Sequence, residues 1–182
     1  MSEREPRKRI PIKRFLLSPI EDEMAYSRNK CSENARRINS IKPNLIFEVW
    51  FDKHYQIRQQ FGDDKGIREG IDSMKVESLV TRSMRHLIAY SSILKNFTFI
   101  NYELNGERAN RIILQESTED GMLNVVIEAH LIDPTTYEIT VKTAMREDSF
   151  KISDGQFALE IIDNESILKR MERGHIKEVC HL

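Results

Sequence analysis

The chain has 182 residues, 40% hydrophobic and 31% charged, with a formal net charge of −1. That is enough apolar material for one compact core and too close to neutrality for a strongly basic nucleic-acid binder, although a local basic surface is still allowed. The two cysteines, Cys31 and Cys180, form no CxxC pair, which argues against a disulfide framework or a cysteine zinc signature and suits a reducing compartment.

Residues 1–17 read as a flexible basic arm: Arg4, Arg7, Lys8, Arg9, Lys13 and Arg14 stand against Glu3 and Glu5, and Pro6 and Pro11 interrupt any helix. The start lacks the apolar stretch of a signal peptide, and no later run approaches the roughly 18 apolar residues of a membrane span. The expectation is a cytoplasmic protein without a membrane partner. Residues 18–41 open with Ser18 as N-cap, Pro19 at the first helical position and Glu21 as a capping-box partner, which predicts an N-terminal helix. Its apolar stripe (Met24, Cys31, Ala35, Ile38) is thin, so this helix is expected to rest on the domain or on a second copy.

Residues 42–182 are expected to form a single α+β domain. "KPNLIFEVWF" reads as a strand, and "DKHYQIRQQF" as a short helix capped by Asp52. In "REGIDSMKVESLVTRSMRHLIAYSSIL", the residues Val76, Leu79, Val80, Met84, Leu87, Ile88 and Ser91 follow helical spacing and predict a long amphipathic helix. The period then changes to two. "FTFINYEL", "NRIILQE", "MLNVVIEAHLI", "YEITVKTAM" and "QFALEII" are strand candidates separated by short turn signals. Short spacers favour antiparallel neighbours. The predicted fold is therefore N-terminal helices and one long helix packed on an antiparallel meander of four to five strands. The tail from Glu165 is open between a helix and a last strand pair.

The hairpin around Pro134 admits a register. Facing its apolar sides together pairs Ala129 with Ile139 and Ile127 with Val141, which places His130 beside Glu138, Glu128 beside Thr140 and Val126 beside Lys142. These polar side chains share one face, either as a working site or as the wet side of a half-exposed sheet. A histidine beside a carboxylate can have its basicity tuned, and a neighbouring lysine can hold an anion. Two helical pairs, His86 with Arg82 and His54 with Arg58, would each set a proton-transfer group beside a phosphate clamp; surface pairs are the alternative. Arg111 faces either the core or the polar side. The chain has no GxGxxG, no GxxxxGK followed by Ser or Thr, no HExxH and no GxSxG, and its histidines show no metal-ligand spacing, so no metal or cofactor is expected.

The segments "FEVWFDKHYQIRQQF", "GIREGIDSMKVESLV", "RHL" and "YEITVKTAM" together resemble the RelE-like and colicin/EndoU-type endoribonuclease superfamily, across Leu45 to Met145. The resemblance implies metal-independent cleavage of RNA by attack of the 2′-OH on the adjacent phosphorus. It assigns His54 and Arg58, or His86 and Arg82, with Lys142 and Thr143 closing the set. His86 or His130 would transfer protons, Arg82, Arg111 and Lys142 would hold the phosphate, and Tyr90, Tyr102 or Tyr137 would stack a base. The competing reading is a non-catalytic intracellular interaction or regulatory module, a homodimer through its N-terminal helix.

Overall fold

Strand β1 (Ala35–Ile41) leads into β2 (Ile46–Asp52), helices α1 (Lys53–Phe61) and α2 (Ser73–Ile93), and the short β3 (Ile100–Asn101). After these come β4 (Arg111–Thr118), β5 (Gly121–Asp133), β6 (Thr136–Arg146), β7 (Phe157–Ile162), β8 (Glu165–Glu172) and β9 (His175–His181). This computed structural model describes residues 26–41, 45–61, 70–102 and 109–182. The expected basic arm, residues 1–17, and the helix start at Ser18 lie outside the described residues.

The strands form one mixed nine-stranded sheet in the order β1-β2-β6-β5-β4-β7-β8-β9, with β3 beside β5. Strand makes up 49% and helix 21% of the described residues, which corrects the expected α+β arrangement of helices followed by a small antiparallel meander. The short spacers do produce antiparallel hairpins: β4 with β5, β5 with β6, β7 with β8, and β8 with β9. What short-range reasoning omits is the return of distant segments. Strand β2 pairs parallel with β6, and β4 pairs parallel with β7, because the α1–α2 excursion and the 147–156 connection are long enough to cross over.

The N-terminal helix is also corrected for the described part of 18–41. Residues 26–34 are irregular, and Ala35–Ile41 pair antiparallel with β2 as the sheet edge. The physical reason lies in "SRNKCSEN": Ser and Asn side chains hydrogen-bond nearby backbone and compete with helix formation, and the stripe is too thin to recover that loss by burial. β2 pairs with Ala35–Ile41, and β6 supplies hydrogen-bond partners to residues 29–31. The tail resolves as the hairpin β8–β9.

Helix α2 forms within the expected segment 68–94, starting at Ser73. Asp72 caps it by accepting from the Met74 N–H at 3.1 Å. Its Val76, Leu79, Val80, Met84, Leu87 and Tyr90 pack on Ile112, Leu114, Val125, Ile127 and Leu159. Each such side chain contributes about 1.5–3 kcal/mol by leaving water. This defines an inner, helix-covered sheet face. The outer face carries a smaller cluster, Ile113, Val126, Ile152 and Ala158, closed by the 147–156 connection. No described helix is long and apolar enough to cross a membrane.

Candidate functional site

The polar hairpin residues lie on the outer face, and that face is not wet. Glu128, Glu138 and Thr140 are buried. Residues 26–34 run over them as a strap. The Asn29 amide donates to Thr140 Oγ1 at 2.7 Å, and the Lys30 backbone N–H donates to Glu138 Oε1 at 2.9 Å. Asn29 Oδ1 accepts the N–H groups of Cys31 (3.0 Å) and Ser32 (2.8 Å), which folds the strap into a tight turn. Burial pushes the Glu138 carboxyl above its ordinary value and the Cys31 thiol up to about 12.

The expected register holds from His130–Glu138 to Ile127–Val141 and then shifts. Val126 faces Thr143 and not Lys142, because β6 carries an extra residue there. A bulge of this kind breaks the alternation and turns two consecutive side chains to one side. Lys142 and Thr143 thus both line a cleft of about 830 Å³ on the outer face.

That cleft is walled by α1, β4, β5, β6 and the 147–156 connection. Its polar lining includes Asp52, His54, Arg58, Arg111, Lys142, Thr143 and Lys151, with Ile113 and Val126 among its apolar residues. Five residues singled out in the sequence meet here: His54 and Arg58 from α1, Arg111 from β4, and Lys142 and Thr143 from β6. Arg58 Nη1 donates to Thr143 Oγ1 at 2.9 Å. Lys142 Nζ lies 2.7 Å from Asp52 Oδ2 and also donates to the Cys31 carbonyl at 3.1 Å. Arg111 Nε lies 2.6 Å from Glu128 Oε1. Burial alone would raise the Asp52 carboxyl, but hydrogen bonds from Lys142, the His54 backbone and Ser32, together with the Lys142 charge, outweigh it and hold Asp52 below its ordinary value. Lys142 and Arg111 are thus held in place by counter-charges, Asp52 at the cleft wall and Glu128 outside its lining.

The remaining expected residues lie elsewhere. Arg82 pairs with Glu116 at 2.7 Å on the α2 side of the sheet. His86 is buried, with Nδ1 2.8 Å from Ser166 Oγ and Nε2 accepting from Arg85 Nε at 3.1 Å. That pattern puts the ring proton on Nδ1 of a neutral imidazole, and burial, aided by the Arg85 charge, lowers its basicity. Tyr137 stacks on Phe47 with centroids 5.1 Å apart, on the inner side. His130 is on the outer face but under the strap, near Cys31, and is not among the residues lining the cleft.

Sequence reasoning gave Asp52 only a capping role, although the same carboxylate anchors Lys142. It treated Cys31 as a weak helix-stripe residue. Asn29, whose side chain nucleates the strap turn, had a signal in "NKCS", an Asn followed two residues on by small polar groups. Although the sequence shows no metal-ligand spacing, the donor atoms of Cys31, Glu128 and His130 all lie within 4.8 Å of one another. Comparison of the chain with protein-family models, with curated proteins and with solved structures gives no match.

Proposed function

We propose that the outer-face cleft binds a phosphodiester and that the chain is a metal-independent endoribonuclease acting through it. The observation that carries this reading is the convergence of Arg58, Arg111, Lys142 and Lys151 with His54 in one cleft, from four separate parts of the chain. A guanidinium and an ammonium that already have fixed partners are pre-positioned, so a bound phosphate meets donors that need little reordering. His54 replaces His86 and His130 as the proton-transfer group, since it is exposed and lines the cleft. In the cleavage step the 2′-OH loses its proton to a base and attacks phosphorus, and the 5′ oxygen leaves with a proton; cations offset the charge gained by the phosphoryl oxygens. A second reading, binding without cleavage, is favoured by the commitment of Lys142 to Asp52 and Arg111 to Glu128.

Both are tested with purified protein and mixed RNA in EDTA, following cleavage by gel and binding by fluorescence anisotropy. The ribonuclease reading expects cleavage that His54→Ala slows by about 10²–10⁴-fold with little change in binding. Arg58→Ala, which removes a cleft cation without stranding a buried carboxylate, is expected to weaken binding. Intact RNA with saturable binding that Arg58→Ala weakens would support the binding module. Absence of both cleavage and binding overturns the two readings together.

A further inference from the structure

Cys31, Glu128 and His130 are distant in the sequence, yet one Sγ, one carboxylate oxygen and one imidazole nitrogen converge on the outer face within 4.8 Å of one another. Glu128 and His130 are two residues apart on β5, so the period of a strand sends both to the same side. Cys31 arrives from the strap. Its peptide groups are held on both sides, the N–H by Asn29 Oδ1 at 3.0 Å and the C=O by Lys142 Nζ at 3.1 Å, so the thiol is carried on an ordered turn. We propose that Cys31, Glu128 and His130 form a binding site for a single zinc-class divalent cation, which clips the strap onto β5.

The donor chemistry selects the ion. One sulfur, one nitrogen and one oxygen suit a borderline-soft cation with tetrahedral preference, whereas magnesium and calcium require oxygen throughout. Bond lengths of about 2.0–2.3 Å in a tetrahedron separate donors by roughly 3.3–3.8 Å, so side-chain rotations of about 1 Å close the present spacing around an ion. Glu128 is 4% exposed and is oriented through Oε1 by Arg111 at 2.6 Å, the kind of outer hydrogen bond that fixes a ligating carboxylate. Glu138 Oε1 lies 3.9 Å from Cys31 Sγ, outside this set of three donors. The site is separate from the cleft and stands whether or not the cleft binds RNA.

The test uses the full chain, stripped with chelator and titrated with Co²⁺ alone. The expected result is one equivalent bound with a thiolate-to-cobalt absorption in the near ultraviolet, displaced by Zn²⁺. Cys31→Ser is expected to abolish that absorption, and His130→Ala to weaken binding by about tenfold or more. Circular dichroism of the metal-free variants checks that each is folded, and Cys180→Ser, expected to keep the absorption, assigns the thiolate to Cys31 if Cys31→Ser is not. A wild-type protein that binds Co²⁺ without the thiolate absorption overturns the proposal. So does an absorption that survives Cys31→Ser and disappears in Cys180→Ser, since the ion would then sit at β9 beside His181.

Discussion

Asp52 ends β2, caps α1 through the His54 N–H at 2.9 Å and takes the Lys142 ammonium at 2.7 Å. The last contact is the most consequential, because both side chains are mostly buried, 13% and 18% exposed. A hydrogen bond between charged groups contributes on the order of 2 kcal/mol net. Asp52→Asn keeps a capping oxygen and removes the charge, so it isolates that contribution: the variant is expected to lose about 2 kcal/mol at pH 7 in urea denaturation. The pH dependence has a fixed sign. Asp52 is held below its ordinary value of 3.8, so its stabilisation is fully present above that value and is lost as the pH falls through the lower folded-state value. The gap between wild type and Asp52→Asn should therefore close only in strong acid; a gap already closed at pH 5 would show that the ion pair is not the cause. Half of this arrangement is legible in the sequence. An Asp before "KHYQ" announces a cap, but its bond to a lysine ninety positions later depends on the parallel pairing of Phe51 with Val141, which no local pattern encodes.

At the scale of elements, α2 is legible because its apolar positions keep the helical period whatever they pack against, and its N-cap is local. Asp72→Ala is expected to destabilise by about 1 kcal/mol, with Asp72→Ser restoring most of it, both read from urea midpoints. Equal losses in the two variants would mean that Asp72 acts otherwise than as a cap. The hairpin register is legible from Ile127 to Leu131, short of a second shift before Asp133, for a similar reason: only one alignment faces Ala129 and Ile127 toward Ile139 and Val141. Legibility stops at the bulge. Either Lys142 or Thr143 could be the extra residue on polarity alone, and the difference decides whether one or both reach the cleft. The strap is illegible for another reason. Its Ser, Asn, Lys and Glu residues satisfy any wet surface, and the tertiary partners that order it, Glu138, Thr140 and Lys142, lie more than a hundred residues away.

For the whole molecule, the topology that assembles the cleft also sets how the chain must fold. The hairpins β4–β5–β6 and β7–β8–β9 can form from neighbouring segments, but neither contains the cleft. That requires β2 to dock parallel on β6, with Ile46 opposite Thr136, and β7 to dock on β4, with Phe157 opposite Ile112. Each docking closes a long loop before its contacts reward the closure, and such non-local pairings slow folding. Refolding after dilution from urea is expected on the order of milliseconds to seconds, followed by tryptophan fluorescence. Trp50 on β2 pairs with Thr140, so its signal reports the parallel docking directly. Val49→Ala, at a fully buried position of β2, tests the order of events. If β2 docks late on a preformed β4–β5–β6 core, the substitution accelerates unfolding and leaves refolding nearly unchanged. A slowed refolding limb with an unchanged unfolding limb would instead place β2 in the nucleus, and the cleft would then be built from its parallel seam outward.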